Sequence, residues 1–546
     1  MNLKRTALLT ASVLLLTAAG DREDRLSEAF GAYLAGRFAV QSHDLTVAAE
    51  RFEAVLREDP AISELNNQAF LAALLSGQSK AAELAEKLPD NPVAQLVLAD
   101  RDGLAGRWSA AEGRFAGLSE QQLLTQVLRP LLVAWAQQGQ GRTDDAIATL
   151  QPFATGPRFR GVYALHAAMI ADLGGKEDEA ARWYATAKTE YGAANLRLAT
   201  ILASWQSRHG QVSEAQRTLE DLTGVDSDLA MARQGLKAEV TKRAVTSASE
   251  GVAEAYLALA ATLRQQSVDT AQIMVRLALD MRPDLTAARI LLAEIEDAQK
   301  QPAAALATLA PVSAQDPLAP LVQLRRAILL DEDGKAEGAE SLLQQIAREH
   351  PDRPEPWAQL GDILRRQNKF AESAKDYAAA IERVGVPSRV NWPLFYARGI
   401  AYERAGDWPK AEQDLVYALK LSPEQPSVLN YLAYSWADRG EHIEEARGML
   451  DRAIQARPNE GAFIDSLGWV LLRQGDTSGA IKQLEHAVEL QPEDSVINGH
   501  LGDALAAAGR TREAEFQWRR ALNLNPEPDE AKKLNDKISA LPADLH

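Results

Sequence analysis

The sequence of 546 residues lacks cysteine altogether, and only 6% of its residues are aromatic. Without cysteine the chain can form no disulfide scaffold, no cysteine-ligated zinc or iron–sulfur site and no thiol nucleophile. Residues that favour strands are sparse, which argues against a large β-domain. Basic residues are fewer than acidic ones: the chain has 59 Lys and Arg and 76 Asp and Glu, which gives a formal net charge of −17. Contacts to phosphates need clustered positive charge, so we expect no nucleic-acid partner.

The residues that are abundant favour helices. Hydrophobic residues make up 46% of the chain, with Ala and Leu prominent among them, and Glu, Gln and Arg fill many of the polar positions. All five of these residue types are strong helix formers in host peptides and proteins. The composition therefore predicts an all-α protein.

The first twenty residues predict a secretory signal peptide. Lys4 and Arg5 give a positive start, residues 6–16 are uncharged and largely apolar, and residues 17–20 are small. This is the order of segments in an export signal, with cleavage expected near Ala19. The alternative is a buried first helix, but a charged run begins at once with Asp21. Asp21 also stands where a lipid-anchored protein would carry its cysteine.

Export predicts a periplasmic protein. Removal of Lys4 and Arg5 would take the formal charge from −17 to −19. The apolar stretch is shorter than the about 20 residues that span a bilayer, and no later segment reaches that length. We therefore expect no integral membrane segment after removal of the signal. If residues 1–20 form an ordinary helix instead, the protein is cytoplasmic.

A unit of 34 residues recurs near the C-terminus. In three copies a glycine is followed after seven residues by a second glycine, and after twelve by an alanine that we call the anchor. A large residue comes four positions after the anchor, another alanine three later, and a proline five after that. The copies are Gly399, Gly406, Ala411, Leu415, Ala418 and Pro423; Gly468, Gly475, Ala480, Leu484, Ala487 and Pro492; and Gly502, Gly509, Ala514, Trp518, Ala521 and Pro526.

Each copy predicts a hairpin of two helices. Apolar residues with helical spacing flank a short turn that is marked by the second glycine. A small anchor lets the helices approach closely, and the large residue one turn later lies on the same face. The proline ends the second helix because it has no N–H and clashes with the preceding turn. In Trp408-Pro409 the proline instead falls in the first turn of a helix, where no N–H is needed.

This pattern resembles the tetratricopeptide repeat (TPR), whose signature is a bulky residue, Leu-Gly, Tyr, Ala, an aromatic or Leu, Ala and Pro. One copy reads Phe395, Arg398-Gly399, Tyr402, Ala411, Leu415, Ala418 and Pro423, with Arg398 in place of Leu. Another reads Trp357, Leu360-Gly361, Leu364, Ser373, Tyr377 and Ala380, with Ser373 in place of the anchor alanine. The resemblance implies an α-solenoid, a superhelix of stacked hairpins.

The anchors continue along most of the chain and predict about fourteen hairpins. They fall at Ala48, near Ala82, and at Ala111, Ala146, Ala180, Ala215, Ala271, Ala305, Ala339, Ser373, Ala411, Ala446, Ala480 and Ala514. The spacing of 56 residues between Ala215 and Ala271 predicts an irregular connector over 221–250, with an added helix over 229–240. We expect a signal peptide at 1–20, arrays at 21–220 and 251–526, and a capping helix at 527–546 whose lysines Lys532, Lys533 and Lys537 face water.

No motif of catalysis or of metal binding stands out. The eight histidines show no spacing typical of metal ligands, and neither a phosphate-binding glycine loop nor a Gly-x-Ser-x-Gly elbow occurs. The run Asp331–Gly334 has too few ligands for a calcium loop and falls in an inter-helix turn. Since repeats fill the chain, we expect no enzyme, no metal and no cofactor.

The resemblance to the TPR family also implies where a partner binds. In that family the first helix of each hairpin lines a concave groove for a peptide or a partner helix. The positions carried over are the residue after the conserved glycine and those one turn to either side. They are Asp362, Arg365, Tyr396, Ile400, Asn430, Tyr434, Asp465, Trp469, Arg473 and Asp503. Aromatic residues there could anchor a partner, although Tyr434 and Trp469 could equally pack between neighbouring hairpins. The acids among these positions do not fit the family's clamp for a C-terminal carboxylate.

The sequence thus favours an exported, non-enzymatic scaffold that binds other proteins or peptides in cell-envelope assembly or maintenance. Two alternatives remain open. One is a cytoplasmic TPR adaptor, and the other is an accessory subunit that positions an envelope enzyme. The acidity of the chain favours basic partners, although most of it serves to solvate exposed helix faces.

Overall fold

In a computed structural model of the chain, the structure describes residues 21–58, 62–119, 123–156, 158–191, 195–225 and 228–541. The predicted signal peptide, residues 1–20, lies outside these ranges. Over the described residues every regular element is a helix, which confirms the all-α prediction. The chain divides into two compact units, which we call the N-terminal unit (Met1–Ala339) and the C-terminal unit (Glu340–His546).

The helices of the N-terminal unit follow one another in pairs. The pairs are α1 (Asp21–Gln41) with α2 (Leu45–Glu58), α3 (Ser63–Leu75) with α4 (Ala81–Ala85), α5 (Pro92–Leu104) with α6 (Trp108–Ala116), α7 (Leu123–Gly139) with α8 (Thr143–Ala154), α9 (Arg160–Leu173) with α10 (Glu177–Glu190), and α11 (Leu196–Arg208) with α12 (Val212–Val225). A short 3-10 helix (Asp228–Ala232) and α13 (Arg233–Glu239) come next. The last pairs are α14 (Ala248–Leu263) with α15 (Val268–Met281) and α16 (Thr286–Ala298) with α17 (Pro302–Leu309). Helix α18 (Ala319–Glu332) is the last helix wholly within this unit, and α19 (Ala336–Glu349) contains the boundary between the units.

The C-terminal unit repeats the same arrangement. Its pairs are α20 (Glu355–Arg366) with α21 (Phe370–Val384), α22 (Trp392–Arg404) with α23 (Trp408–Leu421), α24 (Pro426–Arg439) with α25 (Ile443–Ala456), α26 (Gly461–Gln474) with α27 (Thr477–Leu490), and α28 (Ser495–Ala507) with α29 (Thr511–Asn523). The helix α30 (Pro528–Ser539) ends it. The described residues therefore form thirteen helical pairs within the units, and α18 and α19 follow one another in sequence where the anchors predict the fourteenth. The domain boundaries drawn from the repeat pattern at 220, 250 and 526 stay predictions.

In the pairs that lie within one unit, the anchor residues lie where the second helix meets its first helix. All of them except Ala82 are at most 2% exposed. In the second hairpin the buried alanine is Ala81 instead, because α4 is only five residues long and begins there. The substitution of serine for alanine at 373 is also explained, since the buried Ser373 hydroxyl donates a hydrogen bond to the carbonyl oxygen of Gly361 at 2.7 Å.

The conserved glycine of the first helix makes room for the large residue after the anchor. A Cβ atom on Gly361, Gly399, Gly468 or Gly502 would lie only 2.4 to 3.0 Å from that side chain. Real Cβ atoms do not approach other atoms this closely, so the two helices can reach their observed separation only with glycine. The glycine and the large residue are thus the two sides of one close contact between the helices of the hairpin.

The hairpin α14–α15 packs against helices that come much earlier in the chain. It contacts the first helices α3, α5, α7 and α9 as well as its sequence neighbours, and one hydrophobic core runs from Ala39 to Ile295. Gly251 of α14 permits this approach, because a Cβ there would lie 2.3 Å from the buried indole of Trp135. The first helices of the early hairpins are therefore covered by a later part of the same chain.

Buried polar contacts fix the position of this hairpin. The hydroxyl of Tyr256 lies 3.0 Å from both carboxylate oxygens of Asp100. Arg197 donates a hydrogen bond to Glu254 at 3.1 Å. Burial raises the pKa of Asp100 well above its ordinary value, although the hydrogen bond from Tyr256 opposes the shift. Polar groups such as these are costly to bury without partners. The two pairs therefore favour a single position of the hairpin against the earlier helices.

Candidate partner-binding face

The first helices of the C-terminal unit lie side by side and form one face. Helix α24 contacts α26, α26 contacts α28, and α20 contacts α22. We call this surface the inner face; it consists of the exposed sides of α20, α22, α24, α26 and α28. All ten groove positions carried over from the family lie on these five helices. Their second helices lie behind them, since each packs against its own first helix through the anchor.

The centre of the inner face is a cluster of two aromatic residues, one histidine and one acid. The ring of His500 on α28 stacks on Trp469 of α26 at 4.5 Å between centroids, with the planes 25° apart. The ring of Tyr434 on α24 lies 6.0 Å from the same imidazole. Asp465, one turn before Trp469, lies 2.9 Å from Nδ1 of His500. Tyr434, Asp465 and Trp469 are three of the predicted groove residues, and the structure brings them together.

His500 is the residue that the sequence reasoning missed. It lies two positions before Gly502, outside the register that the family assigns to the groove. Burial alone would lower its pKa, but the carboxylate of Asp465, with Asp503 and Glu530 nearby, outweighs burial and raises the pKa. The positive form of the imidazole is thus stabilised. A single histidine among apolar residues gave no signal of this contact, because Asp465 is 35 residues away.

Negative charge surrounds the cluster. Burial and the carboxylates of Asp438, Asp465, Glu530 and Glu403, in that order, raise the pKa of Tyr434. Asp438 is exposed at the end of α24. The cluster therefore combines aromatic surface with a negative potential, a combination that attracts cationic side chains.

Several charged groove candidates bond within the chain. Asp362 accepts a hydrogen bond from the hydroxyl of Tyr377 at 2.7 Å, and Arg365 lies 3.3 Å from the same hydroxyl. Arg473 donates to the carbonyl oxygens of Ala437 and Asp438 at the end of α24, where a cation also complements the helix dipole. Asp362 and Arg365 thus join the two helices of their own hairpin, whereas Arg473 joins α26 to α24 of the neighbouring hairpin.

The capping helix occupies the end of the inner face, and one expectation about its lysines was wrong. Lys537 is ion-paired and half-buried, and is not fully exposed to water: its ammonium group lies 2.8 Å from Asp503 and 5.9 Å from the ring centroid of Trp518. Asp503 also accepts a hydrogen bond from Trp518 Nε1 at 2.9 Å. The attraction of the carboxylate explains why Lys537 turns inward, whereas Lys532 and Lys533 are exposed.

The remaining candidates lie at the margin of the cluster. The ring of Tyr396 on α22 meets Tyr431 of α24 edge to face at 5.8 Å, and Ile400 is half-buried one turn further along α22. Oδ1 of Asn430 and Nε1 of Trp469 are buried atoms without a hydrogen-bond partner among the described residues. Such atoms are costly unless a partner satisfies them, and they also occur in the N-terminal unit, for example Nε2 of His166 and Nε1 of Trp205.

Two further observations concern the described part of the chain as a whole. Within it, no group of three or more His, Asp or Glu side chains is arranged to hold a metal ion. No described helix combines the length and the apolar character that crossing a bilayer requires.

Models of the family described as tetratricopeptide repeat match three parts of the chain. One matches residues 471–538, and another matches residues 290–354 and 396–461. Over 199 residues the chain is 28% identical to a TPR repeat-containing protein of Pseudomonas aeruginosa, and the aligned part is 36% of this chain and 33% of that protein. The match thus covers about a third of the relative's length.

Solved structures with a similar course of the chain are distant in sequence. The APC/C hetero-tetramer Cut9–Hcn1 aligns over 95% of this chain and 98% of its own, with 13% identity and a TM-score of 0.40. A tetratricopeptide repeat protein of Parabacteroides merdae aligns over 46% of this chain and 97% of its own, with 14% identity and a TM-score of 0.38. Scores below 0.5 carry no information on what this chain binds.

Proposed function

Because this chain is a tetratricopeptide repeat protein, we propose that it is a non-enzymatic scaffold that binds a partner protein on the inner face of its C-terminal unit. The observation that supports this most directly is the cluster of Tyr434, Trp469, His500 and Asp465. Its aromatic rings are only half-buried in the case of Tyr434 and Trp469, and aromatic residues of this kind anchor protein partners.

The N-terminal unit makes a different contribution in this proposal. Its first helices α3, α5, α7 and α9 carry the hairpin α14–α15 of the same chain, so the corresponding face is already occupied. A partner is therefore directed to the C-terminal unit.

We further propose that the protein acts in the cell envelope, exported by residues 1–20, where it assists assembly or maintenance. The support is the order of charge, apolar stretch and small residues in that segment. An alkaline phosphatase fused after Gly20 tests this, since the reporter is active only outside the cytoplasm. Replacement of Lys4 and Arg5 by Glu is the control, because it removes the positive start. If the fusion with the unchanged residues 1–20 shows no phosphatase activity, export by this segment is refuted.

The partner face is tested by cross-linking the tagged full-length protein in its native cells. A variant with Tyr434→Ala and Trp469→Ala should lose its envelope partners, and Asp438→Lys should lose them as well, because it reverses an exposed charge without removing packing. Phe516→Ala is the matched control, since Phe516 is 65% exposed on α29, a second helix. Circular dichroism verifies that each variant is folded. Retention of every partner in the folded Asp438→Lys variant, or cytoplasmic partners only, would overturn the proposal.

A further inference from the structure

The two units of the chain carry the same pair of residues on their first helices. In the N-terminal unit Trp135 of α7 donates a hydrogen bond through Nε1 to Nδ1 of His166 on α9 at 2.9 Å. In the C-terminal unit Trp469 of α26 stacks on His500 of α28. In both units the histidine follows the tryptophan by 31 residues and lies on the first helix of the next hairpin.

The register of the repeat shows that the two pairs are equivalent. They lie 334 residues apart, and the same distance separates the anchor of α8 from that of α27 and the anchor of α10 from that of α29. At this distance Asp100 of α5 corresponds to Tyr434 of α24. The face formed by α5, α7 and α9, which we call the covered face, is therefore the counterpart of the inner face formed by α24, α26 and α28.

A helix of the same chain lies on the covered face. Helix α14 contacts α5, α7 and α9. A Cβ atom on Gly251 would lie 2.3 Å from Cδ2, Cε2 and Cε3 of Trp135, so the glycine lies against the flat side of the indole. Five residues later the hydroxyl of Tyr256 meets Asp100. Under this helix Trp135 and His166 are 0% and 1% exposed.

The equivalent pair of the inner face is more exposed. Helix α26 packs on α24, α25, α27 and α28, and each of these belongs to its own or an adjacent hairpin. Trp469 and Tyr434 are only half-buried. His500 stacks on one side of the Trp469 indole, so the exposed area of this side chain belongs to its edge and its other side. The inner face thus has the register of a face that binds a helix, with its indole still accessible.

The charge at one side of the pair is reversed between the two faces. On the covered face Arg197 of α11 donates a hydrogen bond to Glu254 of α14 at 3.1 Å. Helix α30 follows α28 and α29 as α11 follows α9 and α10, and its Glu530 lies beside α28, 3.8 Å from where Gly499 would have a Cβ. Lys533 lies 3.4 Å from Glu530 but is 68% exposed, so water screens this pair.

The other side of the pair also favours a cation on the inner face. Where the covered face presents Asp100 to a tyrosine hydroxyl, the inner face presents the ring of Tyr434. The carboxylates of Asp438 and Glu403 are among the charges near this ring, and Asp438 is exposed. Arg473 bonds to carbonyl oxygens at the end of α24, where it offsets the negative end of the helix dipole. An aromatic ring among carboxylates attracts a basic side chain.

We propose that the inner face binds an α-helix of a partner protein as the covered face binds α14. In this complex a glycine or alanine of the helix lies against Trp469, and two basic residues flank it, one beside Tyr434 and one beside Glu530. This inference deepens the proposed function and rests on it. The small residue is required because Gly251 is what allows α14 to approach Trp135 so closely. A helix laid into a groove is also a recurrent mode of recognition.

Fluorescence anisotropy of a labelled peptide with the full-length protein tests the chemistry of the partner. The peptide comprises residues 248–263 of α14 with Glu254→Lys and Tyr256→Arg; we call it the basic peptide. A hydrocarbon staple between positions 249 and 253 keeps it helical, and at about 100° per residue this staple lies opposite Gly251. The basic peptide should bind at least tenfold more tightly than the stapled peptide without the two substitutions.

Two further peptides separate the small residue and the helix from charge. Gly251→Leu in the basic peptide keeps the charge but places a bulky side chain against the indole. Ala255→Pro keeps the charge as well but interrupts the helix. Each change should weaken binding at least tenfold.

Variants of the protein locate the binding. Asp438→Lys and Glu530→Lys should each weaken binding of the basic peptide at least fivefold, whereas Asp451→Lys should leave the affinity unchanged. Asp451 is the matched control because it is an exposed acid on α25, the second helix of the hairpin that carries Asp438. Glu530→Lys should also strengthen binding of a peptide that keeps Glu254, because both charges of that contact are then reversed. Circular dichroism verifies that each variant is folded.

The outcomes distinguish this inference from the proposed function. No binding of the basic peptide to the wild-type protein would overturn the inference, and so would equal affinities for the basic peptide and its Gly251→Leu or Ala255→Pro form. Equal affinities of the wild type and both charge variants would overturn it as well. If the peptides fail in one of these ways while cross-linking in cells still finds a partner on the inner face, the scaffold function stands and the helical partner is refuted. If cross-linking also finds no partner there, both are refuted.

Discussion

The close contact between Gly468 and Leu484 makes a prediction whose sign is opposite to that of helix propensity. Replacement of a helical glycine by alanine normally stabilises a helix by about 1 kcal/mol. At position 468, however, the new Cβ would lie 2.5 Å from Cγ of the fully buried Leu484. Overpacking of a well-packed core costs about 1–3 kcal/mol. We therefore expect Gly468→Ala to destabilise the contact between α26 and α27 by about 1–2 kcal/mol.

Gly448 provides the matched control. It lies in the interior of α25, is exposed, and a Cβ there would have no heavy atom within 4 Å. Gly448→Ala should therefore stabilise its helix by about 0.5–1 kcal/mol. Hydrogen exchange of α24 to α27 measures both effects locally, which suits a repeat array whose hairpins need not unfold together. Thermal denaturation should shift by about 2–4 °C per kcal/mol.

The effect of Gly468→Ala in a Leu484→Ala variant shows whether steric overlap causes the destabilisation. Leu484→Ala alone should cost about 2–5 kcal/mol because it leaves a cavity, and it also removes the atoms that the new Cβ would meet. In that background Gly468→Ala should become stabilising, so the effect of one substitution changes sign with the other. If Gly468→Ala lowers the free energy of unfolding equally in both backgrounds, the steric explanation is wrong.

Three further predictions concern single residues. Lys300 occupies the turn position where most hairpins have glycine and adopts φ of 63°, so Lys300→Gly should stabilise the N-terminal unit by about 1 kcal/mol in denaturant titrations; a loss would contradict this. The pKa of His500 is raised in the folded chain. Its charged imidazole therefore stabilises the folded state fully below the ordinary histidine pKa, and this stabilisation is lost as the pH rises through the raised value. Melting temperatures of wild type and His500→Gln should therefore differ most in acid and converge in alkali, and a constant difference would exclude the ion pair with Asp465. Burial raises the pKa of Asp100, so ionisation of this carboxyl at higher pH destabilises the folded state. Asp100→Asn should therefore stabilise the N-terminal unit more at pH 8 than at pH 4. Equal stabilisation at both pH values would argue against burial as the cause.

Local signals made most of the fold predictable. Anchors, turn glycines and terminal prolines lie within one repeat, so their spacing alone predicts where a hairpin begins and ends. Helix α23, for example, begins at Trp408 and ends at Leu421, two residues before Pro423.

Contacts between distant parts of the sequence were not predictable in this way. Tyr256 and Asp100 are 156 residues apart, and nothing in the repeat pattern of α14 distinguishes it from other first helices. The same holds for His500 with Asp465 and for Lys537 with Asp503, where each side chain finds its partner in a neighbouring hairpin. The sequence predicted which helices form the inner face, but the pairing of charges on it depends on rotamers that only packing decides.

The packing of the hairpin α14–α15 against earlier helices has a consequence for folding during synthesis of the protein. Roughly 200 residues separate the end of α3 from the end of α15, and ribosomes add about 5–20 residues each second. The apolar side of α3 therefore waits roughly 10–40 seconds before the hairpin that covers it has been made, and the apolar sides of α5 and α7 wait for shorter times. During that interval the incomplete N-terminal hairpins expose apolar surface that holdase chaperones would recognise. The early first helices thus reach their final packing only once α14 and α15 are available, and not repeat by repeat from the first.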